Sequence, residues 1–445
     1  MKKIIITLII AHCSLQIAIS QVFWNECTSP VTTALRAVSN IDGNNAWICG
    51  AGGVVLKTTN AGYNWANVSG NGIPNTMTLI SIYGVNSSIA LTAGYSGTNT
   101  YVYRTSNAGA NWTQVFFQAN GFINAVWMTS TSNGFIQGDP VGTRWSLWKT
   151  TNGGLNWDST GLYLQQAGAE AGWNNSLWIK NYRIWFGTNN TRIYYSSNNG
   201  INWTVQSTSP EVNTYVIAFD STAQLAGLAG GAILLKTTNG GLNWVQVATP
   251  GSGNFTGAAI SELPFSAAWF VRGSTSIYYS YNPFNTWNVQ YTAPAGNYNH
   301  VALSRIPVYG TGLLYAVRSN GGISRGNWFL EGVKIISNEI PAEYKLYQNY
   351  PNPFNPSTKI KFNLPQLKIL NPGEVRGSLI RIKVYDVIGR VVETLVDQIT
   401  QPGIYEDTWD GTNYPSGIYY YQLTIADPKY NTIAFSQTKK MVLVK

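Results

Sequence analysis

The sequence predicts an all-β protein: a seven-bladed β-propeller followed by a smaller β-sandwich. Three observations carry this: a strand-and-turn composition, a tandem repeat ending in Trp, and a change of composition near residue 335. Of 445 residues only 11% are charged and 13% are aromatic, with 17 Trp, 27 Tyr and 44 Gly. Soluble domains usually carry about 25% charged residues. Aromatic residues favour strands and Gly favours tight turns, so this composition argues against a coiled coil, a helical bundle or an acidic tail.

The chain opens MKKIIITLIIAHCSLQIAIS. Lys2 and Lys3 form a basic start, an apolar run follows, and small residues lie near Ala18 to Ser20. This reads as a secretory signal peptide over residues 1–20, cleaved after Ser20. His12 stands where a lipid-modified Cys13 would need a small residue. No later stretch reaches the ~18 apolar residues of a membrane span. Without this leader the chain keeps one His, His300, and two Cys, Cys27 and Cys49. One His cannot build a zinc site, and no metal or cofactor is expected. In an exported chain Cys27 and Cys49 can pair as a disulfide or remain buried thiols, and the sequence leaves both readings open. Net charge is +9, but the basic residues are scattered singly. Nucleic acid would want a basic stripe, so it is not an expected partner.

Residues 21–335 hold 14 basic and 9 acidic residues, and residues 336–445 hold 12 and 10. Sixteen of the 17 Trp fall in the first part. The reading is therefore a propeller over 21–335, a linker over 336–342 and a second domain over 343–445. The first part repeats. KTTNAGYNW (57–65), RTSNAGANW (104–112), KTTNGGLNW (149–157), YSSNNGINW (195–203) and KTTNGGLNW (236–244) align by eye. YSYNPFNTW (279–287) is a degenerate copy, and a seventh unit ends at Trp328. The terminal Trp are spaced by 47, 45, 46, 41, 43 and 41 residues. A strand-rich period of ~40–50 residues is the mark of a propeller. Each unit reads as four short strands, which bury both faces only when packed radially on their neighbours. The seventh unit runs from GISRG into Trp328 too quickly for a hairpin. The segment QVFWNE (21–26) resembles the final strand of the other units. It is expected to pair into the last blade and close the ring, Trp24 replacing or supplementing Trp328.

The shared core is [S/T]-x-N-x-G-x-x-W. Asn60, Asn107, Asn152, Asn198, Asn239 and Asn282 are expected to bond their own turns. Gly supplies positive φ and Ser or Thr a second local bond. Trp65, Trp112, Trp157, Trp203, Trp244 and Trp287 begin the next strand and bury large area between blades. A feature needed once per blade is a fastener rather than an active site. The pattern resembles the Asp-box, or BNR, repeat of sialidases, sortilin-like receptors and the photosystem II assembly factor propellers. KTTNGGLNW and GFIQGDPVGTRWSLWKTTNGG are most similar to the last family, over about residues 30–330. The resemblance implies the fold and leaves function open, because enzymes, receptors and assembly factors share it.

Two function classes compete. A sialidase-like glycan hydrolase would need an arginine cluster, a Tyr activated by Glu, and an Asp. Acids are scarce, no motif pairs two carboxylates, and SRIP (304–307), which resembles a sialidase arginine motif, lies in the last blade. The preferred reading is a binding protein for an unknown extracellular glycan or protein. Loops between second and third strands place Asp139, Arg144, Trp145, Arg192 and Arg272 on one rim, where Arg and aromatics suit a binding hot spot. His300 reads as a lone polar residue at a strand start.

Residues 343–445 alternate as strands divided by turns at Asp386–Gly389 and Tyr414–Gly417, about seven strands, hence a sandwich. The residues Asn349-Tyr-Pro-Asn-Pro-Phe-Asn-Pro-Ser-Thr358, Tyr385-Asp386, Gly389-Arg390, Trp409-Asp410-Gly411, Pro415-Ser-Gly417-Ile-Tyr419-Tyr420 and the terminal Lys-Met-Val-Leu-Val-Lys445 closely resemble the type A C-terminal sorting domain of the type IX secretion system. That resemblance implies an immunoglobulin-like fold and export by the Sec route. It also implies passage across the outer membrane through the type IX machinery, and release of this domain by cleavage near 330–342. The product would be secreted or held at the outer cell surface. The insert at 366–377 is longer than usual.

Overall fold

The computed structural model describes residues 23–220, 226–261, 267–281, 284–305, 311–329, 334–337, 339–365, 378–400, 402–426 and 432–445. The leader, Asn282 and the 366–377 insert lie outside these residues.

The chain forms two compact units, one over Val22–Val308 with Gly312–Trp328, the other including Phe329–Lys445. The first contains seven antiparallel sheets among the described residues. Their first strands are Leu35–Asn40, Thr78–Gly84, Ile123–Met128, Gly172–Lys180, Val216–Phe219, Phe255–Ile260 and Tyr298–Leu303. Each first strand touches the next, and the seventh touches the first. Side chains stitch this inner ring together. Ser39 Oγ accepts from Gly84 N at 3.0 Å and Ser81 Oγ from Val126 N at 3.2 Å. Ser176 Oγ donates to Thr214 O at 2.7 Å, and Asn299 Nδ2 to Leu35 O at 2.7 Å. His300 Nδ1 accepts from Val38 N at 3.4 Å.

The N-terminal strand closes the ring as the sequence predicts. Phe23–Cys27 pairs antiparallel with Ile323–Phe329, Trp24 opposite Gly326. Trp328 lies within that continuous third strand, so the N-terminal segment supplies the fourth. Trp24 stacks on Tyr291, centroids 6.0 Å apart, and donates to Gln290 Oε1 at 2.9 Å. Glu26 is bound by Arg318, by Ser324 Oγ at 2.7 Å and by Tyr291 Oη at 2.8 Å.

The repeated turn has one geometry in five units. In the first, Thr58 Oγ1 accepts from Gly62 N at 3.0 Å and donates to Asn60 Oδ1 at 3.0 Å. Asn60 Oδ1 also accepts from Asn64 N at 3.0 Å. The same bonds recur around Asn107, Asn152, Asn198 and Asn239. Gly154 has φ +80° and a Cβ there would lie 2.4 Å from Leu91, so both conformation and space demand Gly. The Trp that follow sit at seams between sheets: Trp65 packs edge-on against Tyr315 at 5.3 Å and Trp112 against Trp47 at 6.0 Å. Trp157, Trp203, Trp244 and Trp287 join the corresponding clusters.

One departure from the sequence reading appears here, and one alternative that the sequence left open is decided. The third sheet has three strands, because after Trp157 the chain keeps only bridges at Lys149–Asp158 and Arg144–Gln165. Asp158 instead caps a turn at Thr160 N, 2.9 Å. Cys27 and Cys49 are free thiols rather than a disulfide. Cys27 packs with Val38 and Ile48, whereas Cys49, one residue on from Ile48, points to the opposite face of its strand with Trp47 and Met77.

Among the described residues the second unit forms two four-stranded antiparallel sheets. One orders Lys334–Ser337, Gly403–Asp410, Ser357–Leu364 and Lys345–Leu346; the other Val391–Thr400, Ser378–Tyr385, Gly417–Ala426 and Ile433–Leu443. Alternate residues of both enter one core around Phe362, Ile382, Tyr421 and fully buried Trp409. Lys334–Ser337 pairs with Gly403–Asp410 in this unit. The sequence reading ran the first domain to 335 and placed a linker at 336–342. A four-residue strand, KIIS, has too little alternation to be seen.

Candidate functional site

In a sheet ordered 1-2-3-4, the 2–3 connections and the links to the next sheet share one end. On this end the repeat is broken once, over residues 158–176. Instead of a fourth strand, Asp158–Ala171 runs as a long connection into the first strand of sheet four. There the ladder pairs Gly172 with Thr188 and then Leu177 with Phe186. Four residues, Trp173 to Ser176, thus oppose the single Gly187. The other inner strands carry at most small irregularities. Asn175, at φ +60°, reaches across to sheet two, where Nδ2 donates to Ile80 O at 2.8 Å. Bulges re-aim side chains at functional rims. This one carries Trp173 beside Tyr215, ring centroids 4.3 Å apart and both partly exposed, with Asn174 exposed between sheets. Arg36, in the bulge of sheet one, is exposed on the same end.

Three of the five predicted rim residues brace this platform. Asp139 Oδ1 accepts from Gly172 N at 2.8 Å and Asn124 Nδ2 at 2.7 Å. Burial raises its pKa, against the effect of those two bonds. A Cβ on Gly172 would meet Asn124 Nδ2 at 2.6 Å, so a larger residue there would push that carboxamide aside. Arg144 Nη2 donates to Leu162 O at 2.5 Å and Ser159 O at 3.3 Å, its guanidinium 5.6 Å from the ring centre of exposed Tyr163. Arg192 pairs with Glu170 at 3.0 Å. Glu170 is buried, takes Tyr194 Oη at 2.8 Å and Asn190 Nδ2 at 3.2 Å, and anchors the connection through Ala167 N at 3.3 Å.

The other two are not rim contacts. Trp145 is buried against Phe186 at 4.8 Å, because strand alternation turns it into the seam between sheets three and four. Arg272 is buried too. It donates to Gly251 O at 2.6 Å, Pro250 O at 3.2 Å and Ala232 O at 3.2 Å, and lies 4.3 Å over Phe255. All its work is inside its own sheet and the adjoining turns. Sequence reasoning missed Trp173, Asn174, Asn175, Tyr215 and Glu170. The available signal was the run WNNS, polar residues where the other inner strands alternate.

The comparisons with known proteins agree with this architecture. Residues 24–134 match the family model described as photosynthesis system II assembly factor YCF48, and residues 348–440 match the secretion system C-terminal sorting domain. No curated protein sequence matches the chain. Among solved structures, YCF48 from Cyanidioschyzon merolae is similar at 15% identity and a TM-score of 0.54, covering 68% of this chain and 98% of its own. A structure titled YCF48 bound to D1 peptide aligns at 14% identity and 0.51, covering 68% and 96%. The WD40 propeller domain of Doa1 aligns at 12% and 0.50, covering 68% and 97%. At such identities the likeness shows the fold alone. The protein is thus all-β, with a YCF48-like propeller and a type IX secretion sorting domain that directs it to the outer surface or beyond. No helix among the described residues is long and apolar enough to cross a membrane.

Proposed function

We propose that this protein is an extracellular binding protein: a closed seven-bladed propeller as cargo, carried by an immunoglobulin-like sorting sandwich that the secretion machinery recognises. The observation that supports binding is the single break in the repeat. Fasteners recur in five units, whereas Trp173, Asn174 and Tyr215 occur once, on a platform held by Asp139, Arg144 and the Glu170–Arg192 pair. Part-exposed aromatics beside a carboxamide on a braced loop suit the face of a glycan or a protein. A structural neighbour whose title names a bound peptide supports this use of the fold. Turnover is not proposed. Two Tyr–Glu–Arg groupings lie on this end among the described residues: Tyr291, Glu26 and Arg318, where burial and Glu26 raise the Tyr291 pKa to about 12, and Tyr194, Glu170 and Arg192, where Tyr194 is only 3% exposed. Burial and the adjoining Glu170 push its pKa up to about 12, the wrong direction for a nucleophile.

The test is a glycan array and a pull-down of outer-surface proteins, run with the full chain and Trp173→Ala side by side, with a sialoside turnover assay alongside. A ligand held by the native chain and lost by Trp173→Ala supports the reading. A set of ligands none of which depends on Trp173, or sialoside turnover, would reject it.

A further inference from the structure

The opposite end of the inner ring carries a second asymmetry. Strand register identifies one equivalent position in every sheet, the first-strand residue paired one step inside the repeated Ser or Thr. In sheets two, three and four it is Tyr83, Trp127 and Trp178, paired with Leu91, Phe135 and Trp185. In sheets five, six, seven and one it is Ala218, Ala259, Ala302 and Ser39. Three consecutive aromatics therefore face four consecutive small residues around the axis. Their rings form a continuous arc, Tyr83 to Trp127 at 5.7 Å and Trp127 to Trp178 at 5.3 Å. The Arg305 guanidinium extends it, 3.8 Å from the Tyr83 ring centre and bonded to Gly84 O.

Here Tyr83, Trp127 and Trp178 are all partly exposed, as is Ala302 on the small side. Two donors of the arc, Trp178 Nε1 and Arg305 Nη1, are buried without a hydrogen-bond partner. We propose that the arc lines an axial slot that binds a pyranose saccharide. The C–H face of a pyranose ring lies well on the negative face of an aromatic ring, and its oxygens or an acetamide carbonyl satisfy unpaired donors. The same arc without Arg305 would suit a quaternary ammonium. Arg305 makes no ion pair among the described residues, although Asp42 acts on it at longer range, so its charge disfavours a cation. This site is separate from the Trp173 platform and does not rest on it.

The experiment uses the full chain, with tryptophan fluorescence and calorimetry against three probes: chitotriose, trigalacturonate and choline. Either saccharide, or both, is expected to bind and shift the emission. The two arms distinguish a neutral ligand from one that also engages Arg305. Trp127→Ala is expected to weaken binding by about tenfold or more. Ala302→Phe, which leaves the arc intact but fills the slot, is expected to do the same. Leu242→Ala, an exposed residue of the fifth repeated turn outside both sites, is expected to leave it unchanged. The proposal is overturned if neither saccharide binds up to about 10 mM, if choline binds in their place, or if binding survives Ala302→Phe.

Discussion

Replacing Glu26 with Gln tests whether the N-terminal strand locks the ring. Glu26 sits on the strand that closes the seventh sheet, and its carboxylate meets Arg318, Ser324 and Tyr291. The Arg318 side chain is 3% exposed and that of Glu26 33%. Removing one partner of a fully buried pair costs about 3–5 kcal/mol, because the remaining charge is stranded. Glu26 is one-third open and Gln can still accept hydrogen bonds, so about 2–3 kcal/mol is expected here. For a unit of some 300 residues the unfolding entropy is about 0.6 kcal/mol/K, and the midpoint should fall by about 3–5 °C. Scanning calorimetry of the full chain reads this in the transition of larger enthalpy, which belongs to the larger unit. Arg318→Met and the double variant complete a cycle, in which the second substitution should cost less than it does alone. An unchanged midpoint, or strictly additive losses, would refute the lock.

Three further outcomes are expected. Burial lowers the His300 pKa from 6.5 to about 4, so the folded state resists the charged form. Its contribution is complete above pH 6.5 and is lost as pH falls toward 4, by at most about 3 kcal/mol given that the residue is partly exposed; His300→Gln should flatten the acid limb of a denaturation-against-pH curve, and an identical limb would count against this. Cys49 is buried and its thiol is pushed up to about 12, and burial also raises Cys27. Ellman's reagent should therefore find two thiols after denaturation and react only slowly with the native chain, whereas no thiols after denaturation would mean a disulfide. Gly154→Ala should destabilise by more than about 1 kcal/mol, from positive φ together with the Leu91 clash, while Gly142→Ala, where nothing lies within 4 Å, should pay for conformation alone.

The ring was legible in the sequence because its fasteners are local. Thr58, Asn60, Gly62 and Trp65 make their turn almost entirely with one another, so nine residues carry the whole instruction and recur in readable form. The closing strand was legible for a related reason: the seventh unit lacked room for its own fourth strand. The rim was less so. Asp139, Arg144 and Arg192 were placed at the correct end by loop position, but their roles depend on what arrives from elsewhere in the chain, Gly172 N, Leu162 O and Glu170. Trp145 shows the limit most clearly. Its neighbour Arg144 turns out to the loop while Trp145 turns into the seam, a one-residue alternation that loop assignment ignores.

A fold built of near-identical units also changes how departures from the pattern should be weighed. A hydrophobic residue that recurs at one register position is explained by packing, because each seam has the same need. A large residue present in three adjacent units and replaced by Ala or Ser in the other four answers no shared need. Neither does a four-residue bulge found in one unit. The Trp173 bulge and the Tyr83–Trp127–Trp178 arc are both of this kind, at opposite ends of one axis. If they are independent, a substitution at one should leave the ligand response of the other untouched. If Asn175, which ties sheet four to sheet two, transmits between them, Asn175→Ala should alter saccharide affinity at the arc without touching it. A titration of Asn175→Ala against the native chain decides between these: equal affinities mean two separate sites, and a shift of about threefold or more means a coupled axis.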